Sequence, residues 1–231
     1  MRFGSLTGPL LLALLMVGGA LPVAADDMAD LVAPYLQARD DRKFGEVVGH
    51  AVGDPPHPSA PAIPYEGVSM MLLPYSVALE SELGSIKEHL RDSLRNYMGA
   101  AADVVAARTA YESALLWAGG GRLIHGEVSD QGGLVRLKDV PAGEWMLLAW
   151  REEAHPGKPP RVRAQEAKGF RDIPASAGHS VITYWMMRLR VRAGETTSVE
   201  LNDRNTWIAA VRENLFLMQG PPARTPGRRS R

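Results

Sequence analysis

The chain has 231 residues, 45% of them apolar, enough for one ordinary buried core without metal or disulfide staples. Lys plus Arg and Asp plus Glu each total 26, so no net field draws the molecule towards nucleic acid or an anionic membrane. The absence of cysteine excludes a lipoprotein acceptor thiol, a thiolate zinc site and a disulfide framework.

At the start of the chain Arg2 precedes an apolar run over residues 9–17, and Gly18-Gly19 and Val23-Ala24-Ala25 stand before Asp26-Asp27. This is the order of a secretory signal peptide, residues 1–25, with cleavage expected after Ala25 and a periplasmic or secreted destination. The run is shorter than the roughly 20 residues that span a bilayer, so no stable membrane span is expected after cleavage. Retention of the segment as an anchor is the alternative. Residues 26–44 are charged and interrupted by Pro34, and read as a lead-in with one or two amphipathic turns built on Leu31, Val32, Tyr35 and Leu36.

Residues 45–52 read as a first strand, followed by a proline-rich loop to Pro64, because repeated prolines cannot donate to a ladder. Residues 67–74 read as a second strand, apolar on both faces and therefore buried. Between Ser76 and Trp117 the period becomes helical: Leu79, Leu83, Ile86, Leu90, Leu94, Tyr97, Ala101, Val104, Ala107, Tyr111 and Leu115 fall three or four apart. Two antiparallel helices joined near Gly99 are expected, with Ser85 and Glu88 as a capping box and Asp103 as a second N-cap. One uninterrupted helix, paired with a partner helix, is the other arrangement the period allows.

After Gly119-Gly120-Gly121 the two-residue period returns over residues 123–128 and 134–138, about a turn at Asp130-Gln131-Gly132-Gly133. Val140-Pro141-Ala142-Gly143 forms the next turn, before a strand over residues 144–150 that is apolar on both faces. A charged, proline-rich loop is expected from Arg151 to about Ser176. Residues 181–192 then place Val181, Thr183, Trp185, Met187, Leu189 and Val191 on one core face. Residues 196–201 and a short strand over residues 206–211 close the domain, and the basic, proline-rich residues 219–231 read as a disordered tail.

The run Gly126-Glu127-Val128-Ser129-Asp130-Gln131-Gly132-Gly133-Leu134-Val135-Arg136-Leu137-Lys138-Asp139-Val140-Pro141-Ala142-Gly143-Glu144-Trp145 resembles the signature of carboxypeptidase regulatory-like, or transthyretin-like, β-sandwich domains. In that pattern Asp130 and Gly132 close one tight turn, and Pro141 and Gly143 set another before the aromatic enters the core. The resemblance implies an accessory, adhesive or carbohydrate-binding-like domain without catalytic machinery of its own. The helical segment interrupts the usual passage between the second and third strands. The expected fold is thus mainly β: an antiparallel β-sandwich (transthyretin-like/Ig-like) over residues 45–218, with an inserted α-helical hairpin at about 76–117. Met71, Leu73, Met146, Trp150, Tyr184 and Met186 form a second apolar face, which the helices are expected to cover.

The chemistry-bearing residues are sparse. His50 and His57 flank the turn at residues 53–56 and are the candidate metal ligands, although no ligand motif such as His-Glu-x-x-His accompanies them. Ser180 follows His179 but lies in no nucleophile elbow, and no phosphate-binding loop opens a helix, so neither catalysis nor a cofactor is expected. Arg188, Arg190 and Arg192 line one strand face and are candidates for an anionic ligand, with Arg136 and Lys138 in support. Trp117, Trp145, Trp150, Trp185 and Trp207 offer a sugar-stacking platform, against which their apolar settings favour core packing. The reading is an exported, non-catalytic binding or structural module that contacts an envelope protein, with a glycan-binding module as the alternative.

Overall fold

The computed structural model describes residues 25–55, 57, 59–157 and 172–219. The elements are α1 (Ala25–Asp40), β1 (Phe44–Gly53), β2 (Ile63–Pro64), β3 (Ser69–Pro74), α2 (Val77–His89), α3 (Leu94–Trp117), β4 (His125–Val128), β5 (Leu134–Pro141), β6 (Gly143–Pro156), β7 (Asp172–Val191), β8 (Thr196–Leu201) and β9 (Ile208–Gln219). Apart from Ala25, which begins α1, the expected signal segment lies outside the described residues, as do residues 220–231 of the expected tail and residues 158–171.

Two sheets form a β-sandwich. In the first, β1 is central, antiparallel to β5, meeting the two-residue β2 at its end and running parallel to β8. The second has the order β4-β3-β6-β7-β9 with every neighbouring pair antiparallel. The sheets approach closely where Gly49 faces Met70: a Cβ on Gly49 would lie 2.8 Å from the Met70 Sδ. Register then assigns Met70, Leu72, Trp145, Leu147, Ala149 and Trp185 to the inner face of the second sheet, since directly paired residues share a face. Val47, Ala51, Val135, Leu137 and Leu201 close the core from the first sheet.

The outer face of the second sheet is apolar as the sequence indicated, and helix covers it. Leu73, Met146, Leu148 and Tyr184 are buried there. The Arg108 guanidinium of α3 lies over the Trp150 ring at 4.7 Å, and α3 also packs against β9, α2 and α1. Ile182 and Tyr184 are therefore buried alongside Trp185, while Val181 and Thr183 on the expected core face are only half-buried.

The helical junction differs from the expectation. Ser76 caps α2 by accepting from the Leu79 N–H, and Ser93, not Asp103, caps α3 by accepting from the Asn96 N–H at 3.1 Å. The Asn96 side chain donates to the His89 carbonyl at 2.9 Å, so the first turn of α3 also satisfies the end of α2. The break thus falls at Leu90–Ser93, and Gly99 lies within α3. Ser85 is likewise interior to α2.

Three segments are longer than the sequence suggested. The lead-in is a sixteen-residue helix, α1, that tolerates Pro34 on its exposed side, because Met28, Val32 and Tyr35 at helical spacing are buried. The expected loop over residues 151–176 begins and ends as strand, with β6 reaching Pro156 and β7 beginning at Asp172. The last strand, β9, runs to Gln219 rather than ending at Val211. At the expected turn over residues 140–143, only Ala142 separates β5 from β6, and its N–H donates to the Lys43 carbonyl at 2.8 Å.

The Asp130 turn of the sequence motif forms, whereas at the second position β5 passes through one bend residue directly into β6 of the other sheet. Asp130 Oδ1 accepts from the N–H groups of Gly132 and Leu134, both at 2.9 Å, and Gly133 takes φ +74°. The Trp145 indole N–H donates to the Pro141 carbonyl at 3.0 Å, and the ring is fully buried between Tyr35 and His125.

Candidate binding surface

Among the described residues no group of three or more His, Asp or Glu side chains is gathered to hold a metal ion. His50 is exposed on the outer face of the first sheet, and the His57 Nδ1 is 3.0 Å from the Ser59 hydroxyl. The Ser180 hydroxyl is buried and bonded to the Asn214 side chain, leaving it outside any Ser–His pairing with its neighbour His179.

The arginine row is balanced by carboxylates. Arg188 Nε bonds Glu144 Oε2 at 2.9 Å while its guanidinium lies over the Tyr75 ring, and Arg190 Nε is 3.8 Å from the other oxygen of Glu144. Arg192 pairs with Glu195 at 3.5 Å. Glu80 accepts from the Tyr75 hydroxyl beside this group, and its charge helps to hold the Arg188 pKa up, after the larger effect of the Glu144 hydrogen bond. In support, Arg136 pairs with Glu46 across β1 and β5.

The tryptophans divide sharply. Trp145 and Trp185 are fully buried, the latter donating from its indole to the Asn202 carbonyl at 2.7 Å. Trp150 lies beneath Arg108, and Trp207 packs at the core margin. Trp117, at the end of α3, is 91% exposed. Its apolar setting in the sequence favoured core packing; the structure places it in solvent because Leu115, two residues earlier, takes the buried position on the helix.

Trp117 belongs to a wider surface. At about 100° per residue, Leu94, Met98, Val105 and Leu116 fall within an arc of about 40° on α3. All four are exposed, Leu94 at 77% and Leu116 at 59%. Leu94 had been counted on the core stripe; that stripe consists of Ala100, Ala101, Val104, Ala107, Tyr111 and Leu115, and Leu94, the first residue of the helix, precedes it. Exposed Ala102, Ala106, Thr109, Ala110 and Ser113 continue the outer face. Between Asp103 and Arg122 the only ionisable side chains besides Tyr111 are Arg108 and Glu112, which pair with each other at 3.1 Å, and Arg108 also stacks on Trp150. A long face of small and apolar side chains therefore ends in an accessible indole.

A concavity lies between β4 and β5, where the two sheets meet at their edges. It is an open cleft of about 400 Å³ lined by Ile124, His125, Gly126, Glu127, Arg136, Leu137 and Lys138. Burial, reinforced by the charge of Arg39, holds the His125 imidazole below its ordinary range, with Asp139 opposing. Its Nε2 is shielded from solvent without a hydrogen-bond partner.

No family model and no curated sequence matches the chain. Among solved structures, a candidate carbohydrate binding protein from Pseudomonas aeruginosa aligns over 69% of this chain and 88% of its own, at 10% identity and a TM-score of 0.37. A minor pilin from Streptococcus agalactiae aligns over 80% of this chain and 100% of its own, at 12% identity and a TM-score of 0.25. Both likenesses are loose, and the β-sandwich rests on the strand pairings themselves.

Proposed function

We propose that the chain is an exported, non-catalytic binding module of the carboxypeptidase regulatory-like type that holds another protein of the cell envelope against the outer face of α3. The observation that carries this reading is the 91% exposure of Trp117 at the end of a helix face whose only charges after Asp103 are the mutually paired Arg108 and Glu112. Large accessible aromatics beside apolar neighbours supply contact area at low entropic cost, and such residues dominate protein interfaces. The sequence motif over residues 126–145, with its Asp130 turn, supports the family, and the signal-like residues 1–25 support export to the periplasm or beyond. Residues 45–218 then form the sandwich domain with its helical insertion.

The test is photo-crosslinking from residue 106 or 109 in intact cells, followed by pull-down with the unmodified protein and with a Leu116→Ala/Trp117→Ala variant. A discrete partner, lost in the variant, is expected. Equal recovery with the variant, or no crosslinked species, would reject the surface. N-terminal sequencing of the exported protein is expected to begin at Asp26.

A second reading follows from the same indole. An exposed tryptophan face is suited to stacking on a sugar ring, and a glycan array that responds to the parent protein but not to Trp117→Ala would favour glycan over protein. The arginine row over Arg188, Arg190 and Arg192 is retained as an anion-binding proposal only for ligands able to compete with Glu144 and Glu195.

A further inference from the structure

Apart from the two-residue β2, the edges of the sandwich are β5 and β8 in the first sheet and β4 and β9 in the second. They are not alike. β4 and β8 are short, at four and six residues, and Glu200 stands within β8. In β5 the ladder is broken where Lys138 and Asp139 together oppose Glu46, with Asp139 at φ +53°. Short length, charge and bulges are the ordinary means by which an edge is kept from pairing with a second molecule. β9 lacks all three. It runs for twelve residues, Ile208–Gln219, without proline or glycine, and among the described residues it pairs with β7 alone. The irregularity in that ladder falls on β7, where residues 177 and 178 oppose Asn214, so β9 itself stays regular.

Arg212 and Glu213 are the only charged residues of β9, and their signs cancel. Arg212 reaches back across β7 to bond Glu152 on β6, away from the free edge. Ile208 and Ala210 at the start of the strand are buried, whereas Arg212 and Glu213 are exposed and Leu215 is 63% exposed. The sequence Leu215-Phe216-Leu217-Met218 that follows is apolar and uncharged, the composition that favours pairing between strands.

We propose that β9 pairs antiparallel with β9 of a second copy of this chain, about a two-fold axis perpendicular to the sheet. The two five-stranded sheets then become one of ten strands. Symmetry favours a copy over a foreign strand, because one contact satisfies both open edges at once, while a foreign strand leaves its own outer edge unpaired. An edge of zero net charge does not repel its copy. Any register centred beyond Glu213 keeps like charges from standing directly opposite one another. Twelve residues span about 40 Å, so room remains for an extended ladder in such a register. The pairing uses the backbone of a sheet edge and is independent of the outer face of α3.

The test is sedimentation equilibrium of the exported protein over a range of concentrations, where twice the monomer mass is expected at the upper end. Leu215→Lys sets a charge on the exposed edge of both copies and should raise the dissociation constant at least about tenfold. Val128→Lys makes the same change on the exposed β4 edge and should leave it unaltered. Circular dichroism and Tm establish that both variants fold. In the dimer, the β9 amides that face away from β7 should exchange with solvent more slowly than in Leu215→Lys. A protein that stays monomeric to about 1 mM overturns the pairing. So does a dimer that survives Leu215→Lys, or one that is lost in Leu116→Ala/Trp117→Ala while Leu215→Lys retains it; that last result would assign the α3 face to a second copy instead.

Discussion

The Tyr111 hydroxyl on α3 donates to the Pro74 carbonyl at the end of β3 at 2.8 Å. Burial pushes its phenol pKa up, so it stays a donor throughout the working pH range. This bond fastens the helical insertion to the second sheet. Tyr111→Phe keeps the ring but leaves a buried carbonyl unmet, and should cost about 1–2 kcal/mol in urea denaturation, with the m-value unchanged.

Trp117 and Trp145 are the same residue type in opposite settings. Trp145→Ala removes a fully buried ring together with its bond to Pro141, and should cost about 3–5 kcal/mol. Trp117→Ala should change stability by less than about 0.5 kcal/mol while reducing partner recovery. Thermal melts of the two variants beside the pull-down check both halves. A large loss of stability in Trp117→Ala would mean that the indole has a structural role.

Much of this contrast was hidden in the sequence for a physical reason. A helical period shows that one face of a segment is apolar, but α3 is apolar or small on more than one face, so periodicity cannot separate Leu115, in the core, from Leu116, in solvent. The strands about Trp145 and Trp185 were legible as short apolar runs because both sheet faces are buried there. The extensions of β6 and β7 were not, since beyond Trp150 the strands leave β3 and carry charged residues such as Arg151, Glu152 and Glu153 that read as loop. The Asp130 turn was legible because its hydrogen bonds are local.

Gly133 tests that turn. It takes φ +74°, and a Cβ there would lie 2.2 Å from the Ala51 carbonyl oxygen. The Ala51 N–H also donates to the Gly133 carbonyl, so the clash falls on the pairing of β1 with β5. Gly133→Ala should destabilise by more than about 1 kcal/mol in chemical denaturation, the opposite of the gain expected where alanine fits. Gly67→Ala, with a positive φ but open space around it, should cost less.

His125 imposes a pH dependence. Its imidazole is held below the ordinary value of about 6.5 in the folded chain, so between the two values the unfolded chain binds more protons. The folded protein therefore suffers no penalty above about 6.5 and loses stability as pH falls below it. Tm should decline as pH falls below about 6.5. His125→Phe, which preserves a ring edge against Trp145, should make that decline shallower; an identical slope would remove His125 as its cause.

The parallel pairing of β1 with β8 joins Glu46 to Thr196 and Ala51 to Leu201, strands separated by most of the described chain. The first sheet can acquire this edge only after residues up to 201 are available, so β1 must remain incompletely paired while everything between is made. Such distant closure slows folding and prolongs exposure of an unsatisfied strand edge. A nascent chain cut short before β8 leaves that edge bare, and its natural fate is to seek a neighbour's strand in place of its own.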